Sequence, residues 1–131
     1  FLQYQFVLPK DCGVKELKEI IEIISNSNIN PSLAVLKKFG KENKNFLSFP
    51  KEGLTLALDF GIKSSIFNLL AQLDKSVLHF GGRHYLTKDS YMNEKIFKIT
   101  YNKWEQFQEI RKKYQSQDIF SSYQSVRLGL N

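Results

Sequence analysis

The sequence predicts an α+β fold: a ferredoxin-like split βαβ unit, with elements in the order β-α-β-β-α-β forming an antiparallel sheet, followed by additional C-terminal helices. Three observations predict it. Four short stretches carry the alternating or continuous apolar pattern of strands. Two longer stretches between them carry apolar stripes at helical spacing. A glycine pair, Gly81-Gly82, then ends the second of these helices before the last strand, and further apolar stripes at helical spacing follow that strand.

The first strand is Phe1 to Leu8, in which Leu2, Tyr4 and Phe6 alternate with Gln3 and Gln5 before Pro9 stops the run. Val14, Leu17, Ile20, Ile21 and Ile24 make the stripe of the first helix, with Asp11 as its expected cap and the Ser25-Asn26-Ser27-Asn28 run and Pro31 as its end. Leu33 to Gly40 is the second strand. Lys41 to Pro50 reads as a polar flap packed down through Phe46, Leu47 and Phe49. In the third strand, Leu54, Leu56, Leu58 and Phe60 take one side and Thr55, Ala57 and Asp59 the other. Ser64 or Ser65 is expected to cap a second helix whose buried stripe is Ile66, Leu69, Leu70, Leu73 and Val77. It ends at the glycine pair, which tolerates positive φ. Residues 83–86 are the fourth strand, and Asp89 or Ser90 is expected to cap the next helix. Met92, Ile96 and Ile99 mark that helix; Trp104, Phe107 and Ile110 mark another, whose last turn, Arg111-Lys112-Lys113, suits the negative end of its dipole. The tail from Asp118 to Leu130 is too apolar to lie free and is expected to dock.

At 131 residues, with 42% hydrophobic and 14% aromatic content, the chain supports one core and excludes global disorder. No run approaches the roughly eighteen apolar residues of a membrane span, so the expectation is a cytoplasmic protein, with attachment to the inner-membrane surface as the alternative. One cysteine, Cys12, excludes an internal disulfide and a multi-thiolate site, and His79 and His84 lack partners at ligand spacing, so no metal is assigned. The net charge of +6 is uneven: ten basic residues against eight acids up to residue 81, nine against five after it. That excess suits an anionic partner such as a phosphate, a nucleic acid or an anionic lipid head group, or a solvated face with no partner. A chain that opens inside a strand at Phe1 is expected to be a fragment of something longer.

In this arrangement two helices cover one sheet face. The other face carries Gln3, Gln5, Lys37, Thr55, Ala57 and Asp59, and the corner after Gly81-Gly82 aims Tyr85 and Lys88 into a cleft. Glutamines donate to and accept from hydroxyls, and a lysine meets a phosphate as a point charge.

The motifs Phe1-Leu2-Gln3-Tyr4-Gln5-Phe6-Val7-Leu8-Pro9, Leu47-Ser48-Phe49-Pro50, Leu58-Asp59-Phe60, Gly81-Gly82-Arg83, Tyr85, Lys88-Asp89-Ser90 and Phe120…Ser122…Arg127-Leu128 occur in one register. Together they resemble the C-terminal part of the FAD-dependent sugar oxidoreductases of the vanillyl-alcohol-oxidase type, above all those members that oxidise a polyprenylphosphoryl ribose on the way to the arabinose donor of cell-wall arabinan. The resemblance implies that residues 1–82 are part of a substrate-binding cap domain and that residues 83–131 return to an FAD-binding domain absent here. It implies FAD held mainly by that N-terminal domain, a sugar or polyprenyl-phosphate sugar as substrate, and a reductase subunit as partner. By the same resemblance Gln3, Gln5, Lys37 and Thr55 line the substrate pocket, while Tyr85 and Lys88 approach the flavin and the reacting sugar as catalytic and cofactor-binding residues. Ala57 stands where close relatives carry a pocket cysteine, Thr55 where they carry an asparagine, and Gln115-Ser116 where an Asp-Pro is expected. Free aldoses, alditols and aldonolactones therefore stay beside the polyprenyl substrate. The isolated chain, which has no phosphate-cradling glycine loop, is expected to be inactive and colourless.

Two rivals are kept. A basic ferredoxin-like unit also describes an RNA-binding module, but Leu54 to Phe60 lacks the basic start and paired aromatics of its third strand, so no nucleic-acid partner is expected. A free-standing small-ligand regulatory domain would bury its open face in a homodimer.

Overall fold

A computed structural model describes residues 1–117 and 119–131 of the chain. It contains a four-stranded sheet of β1 (Leu2–Pro9), β2 (Leu33–Phe39), β3 (Gly53–Phe60) and β4 (Arg83–His84), in the order β2-β3-β1-β4 with every neighbouring pair antiparallel. The helices are α1 (Val14–Asn26), α2 (Ile66–His79), α3 (Glu94–Thr100), α4 (Trp104–Lys113) and α5 (Tyr123–Arg127). The fold is α+β, as the sequence predicts, with elements in the expected order. β3 lies between the parallel β1 and β2, and β1 lies between β3 and β4.

The register places Leu2 opposite Phe60, Tyr4 opposite Leu58 and Phe6 opposite Leu56, so one face of the central strands is continuously apolar. Against it pack Leu17, Ile20 and Ile24 of α1 and Ile66, Leu69, Leu70, Leu73 and Val77 of α2, forming the main core. A second core gathers Met92, Ile96, Phe97 and Tyr101 with Leu128 and Leu130 of the tail. Arg127 ties the tail back: one guanidinium nitrogen donates to Asp89 at 2.9 Å and the other to the Met92 carbonyl. Asp118, where the tail was expected to begin, lies outside the described residues.

Several local expectations are corrected. Asp11 does not cap α1; the N-cap is Gly13, whose backbone N–H donates to Glu16 at 2.7 Å. Ser65 occupies the N-cap of α2 but makes no side-chain cap bond. β4 is two residues long, because the chain turns into a 3₁₀ turn over Leu86–Lys88 once Tyr85 has made its single ladder bond to the Gln5 carbonyl. Asp89 is spent on the backbone N–H groups of Tyr91 and Met92 and on Arg127, so Asn93 caps α3 instead, accepting from Ile96 N at 2.9 Å. Within α3 Ile96 is buried as expected, together with Phe97 and Thr100; Ile99 instead faces solvent, and Met92, also buried, precedes the helix. On α1, Val14 and Ile21 are exposed.

Candidate functional site

The face of the sheet turned away from α1 and α2 is unequal along its length. Gln3 opposes Asp59, Gln5 opposes Ala57, and Val7 opposes Thr55 across β1 and β3, while Lys37 opposes Thr55 across β2. At the Thr55 end the flap closes over it. Phe49, buried, meets Phe39 edge-on at 5.7 Å and stacks on Tyr85 at 4.4 Å. Beneath this cover Val7 and Thr55 are fully buried and Gln5 is 7% exposed. Towards the Asp59 end Gln3 is exposed and Asp59 half-buried.

Arg83 holds the cover down. Its buried guanidinium donates to the Thr100 carbonyl at 3.0 Å, the Ser48 carbonyl at 2.6 Å and Glu42 at 2.7 Å, and lies 5.1 Å from the centre of the Tyr101 ring. A buried cation is tolerable only with such partners. One residue thus joins β4, the flap and α3. The Gly81-Gly82-Arg83 motif contains Arg83 but assigns it no role; the signal for one is a long cation directly after two glycines, where the chain must pass close to α2.

The expected site residues fall into two sets. On the covered half, Gln5 donates to the Thr55 hydroxyl at 3.1 Å, and that hydroxyl donates to the Phe6 carbonyl at 2.7 Å. Thr55 has 0% exposure, so it reaches the face only by holding Gln5. On the open half, Lys88 donates to Gln3 Oε1 at 3.4 Å, and Gln3 Nε2 donates to Asp59 at 3.0 Å. The backbone brings the two sets together: Gln3 and Gln5 share one side of β1, and the Tyr85 N–H bonds the Gln5 carbonyl at 2.9 Å. Tyr85 spends its ring on Phe49. Lys37 stands exposed at the edge, level with Thr55.

A second polar cluster lies on the other side of the sheet, within the main core. The Tyr4 hydroxyl donates to Asp74 at 2.8 Å, and His84 Nε2 lies 3.0 Å from the same carboxylate oxygen and 2.9 Å from the hydroxyl. His84 Nδ1 is buried with no hydrogen-bond partner among the described residues, so the ring's polar contacts all run through Nε2. Burial, then the Asp74 charge and its hydrogen bond, push the Tyr4 phenol well above its usual range. Sequence spacing hid this cluster because the three residues come from β1, α2 and β4. Cys12 is a bystander: its thiol donates to the Phe80 carbonyl at 3.2 Å, and burial together with Glu16 and Asp11 pushes its pKa up, away from the reactive thiolate.

Set beside known proteins, the chain is 39% identical over 130 residues, 99% of its length, to the decaprenylphosphoryl-beta-D-ribose oxidase of Mycolicibacterium smegmatis, of which it spans 28%. It is 29% identical over 115 residues, 87% of its length, to an uncharacterized protein in the mprA 5′ region of Streptomyces coelicolor, of which it spans 31%. The chain therefore covers less than a third of either relative. No family model matches it. The similarity to an oxidase is the one the motifs pointed to, and its extent is consistent with a C-terminal piece of such a protein.

Proposed function

We propose that this chain is the substrate-facing and C-terminal part of an FAD-linked oxidoreductase that oxidises a secondary hydroxyl of a sugar or sugar-derived substrate. The observation that carries the reading is the contact between Lys88, after the glycine corner, and Gln3, on the first strand, on the open half of the polar face. It joins two distant parts of a chain 39% identical to a sugar-lipid oxidase. In this reading residues 1–82 belong to a substrate-binding cap, and residues 83–131 lead back to an FAD-holding domain of the same polypeptide.

Bound flavin would supply the hydride acceptor; the residues here bind, orient and balance charge. They fit such a group. Lys88 is half-buried and has one protein partner among the described residues, so two of its N–H bonds remain for an anionic ring edge or for the departing hydroxyl's oxygen. Gln3 meets ring hydroxyls on the open half, while Gln5, expected beside it in the pocket, is buried and held by Thr55, and with Tyr85, stacked on Phe49, closes the covered end. Lys37, at the exposed edge, meets a phosphate. A polyprenylphosphoryl ribose is the substrate that best joins a sugar-reading face to that cation, ahead of a free aldose, alditol or aldonolactone. Among the described residues no helix is long and apolar enough to cross a membrane. In this reading a lipid-borne substrate is met on the cytoplasmic side, with attachment to the inner-membrane surface as the alternative. A reductase subunit re-oxidising the flavin completes the proposal.

The test is made in the longer polypeptide carrying flavin. Lys88→Met is expected to lower turnover by about a hundredfold or more, as for loss of one preorganised charge partner. Lys37→Met is expected to raise KM while leaving kcat nearly unchanged. Full activity in both variants would end the assignment.

A further inference from the structure

We propose that Asp59 is the positioning residue of this face: its carboxylate fixes the side-chain amide of Gln3 with nitrogen towards β3 and oxygen towards Lys88. The inference rests on the reading of the face as a sugar site. It gives a role to Asp59, which the Leu58-Asp59-Phe60 motif contains and to which the resemblance assigns none.

A glutamine amide has a donor end and an acceptor end of nearly equal size, so on an open face it turns freely. A site that must distinguish hydroxyl donors from acceptors needs that freedom removed. Here both ends are constrained by groups of single character. The Asp59 carboxylate only accepts, and it meets Gln3 Nε2 at 3.0 Å. The Lys88 ammonium only donates, and it meets Gln3 Oε1 at 3.4 Å. Each partner alone would select the same orientation, and the shorter contact is the one to Asp59.

Asp59 is well placed to impose that order. It sits on β3, paired with β1 on one side and β2 on the other, and its own carbonyl accepts from the Ser32 N–H at 2.8 Å and the Ser32 hydroxyl at 3.1 Å. Its backbone is therefore held from both sides, whereas Lys88 hangs from a three-residue 3₁₀ turn. The second carboxylate oxygen makes no hydrogen bond among the described residues, and Asp59 itself is half-buried. A substrate would meet, in sequence, a carboxylate oxygen that accepts, one free amide N–H, one free amide lone pair and an ammonium. That order matches adjacent hydroxyls that differ in which one donates.

The experiment begins with the 131-residue chain itself, by NMR of the Gln3 side-chain N–H pair and the Lys88 side chain. Asp59→Ala is expected to move both Gln3 proton shifts to those of a free amide and to raise Lys88 mobility, with the thermal midpoint unchanged. Asp59→Asn, which keeps an acceptor oxygen but can turn its own amide, is expected to fall between the two. Unchanged Gln3 shifts in Asp59→Ala would overturn the proposal whatever the enzyme does. In the flavin-loaded longer polypeptide, with a short-chain polyprenylphosphoryl ribose as probe, Asp59→Ala is expected to raise KM about tenfold with kcat within about twofold, the scale of one hydrogen bond to a charged group. Altered Gln3 shifts with an unmoved KM would leave the amide's orientation standing and remove the reading of this face as a sugar site.

Discussion

Tyr4 and Tyr101 keep their protons because a phenolate at either place would lose its water. Burial is the first cause in both cases, and for Tyr4 the Asp74 charge beside it is the second. The Tyr101 hydroxyl donates to the His84 carbonyl at 2.6 Å, so both phenols bear on the strand that carries the corner. The unfolded chain would release these protons near pH 10, the ordinary range of tyrosine, while the folded chain still holds them. Stability from this source is complete below about pH 10 and falls as pH rises towards the folded values. Lys51 works the other way: burial first, then Arg83, lowers its pKa, so its unfavourable contribution fades as pH rises towards the ordinary lysine value. Comparing variants separates the two. Urea midpoints measured from about pH 8 to about pH 11 should fall less steeply in Tyr4→Phe/Tyr101→Phe than in the parent chain. Equal slopes would show that these phenols ionise as readily folded as unfolded.

The corner at Gly81-Gly82 depends on close approach as much as on turning. Gly81 has φ +66°, which favours glycine, and ends α2. Gly82 lacks that conformation, yet a Cβ there would lie 2.7 Å from Val77 Cγ1 and 2.9 Å from the Val7 and Val77 carbonyl oxygens. Nothing can yield without parting β4 from α2 or β1. Gly82→Ala should therefore cost about 1–3 kcal/mol, read as a lower urea midpoint, whereas Gly61→Ala, with nothing nearby, should cost far less. The sequence showed the punctuation here but not its reason. The same limit explains the helix ends. α2 was legible residue by residue because its stripe contacts one core, while α3 is seven residues long and is held by the tail, so Phe97 outranks Ile99 for burial. Capping was missed at Asp89 because that carboxylate serves a turn and an arginine thirty-eight positions away.

Seen whole, the chain is a sheet with one helix-covered face, one face split between a flap and open ground, and a small second core clamped on by Arg83 and Arg127. The alternating faces of β1 and β3 were readable because period two assigns sides directly, which is why Gln3, Gln5, Thr55 and Asp59 share one face of the sheet. What joins them was not readable. Phe49 comes from a loop, Arg83 from the corner, and the Tyr4, Asp74 and His84 cluster from three elements, and no local spacing encodes such meetings. The sheet also leaves β2 as a bare edge, bonded only to β3, with Leu33 and Leu36 each 54% exposed on opposite faces. An apolar edge with unpaired backbone groups recruits another strand. The chain by itself should therefore self-associate as its concentration rises, through β2, where backbone hydrogen bonds add to apolar contact. A further exposed apolar surface, around Phe120 and Tyr123, offers side chains without a strand edge. Sedimentation of Leu36→Lys should show a shift to monomer, because a charge on an edge strand blocks pairing, while Phe120→Lys should leave association nearly as it was. The reverse result would place the contact on the C-terminal segment and leave the β2 edge protected by its own twist.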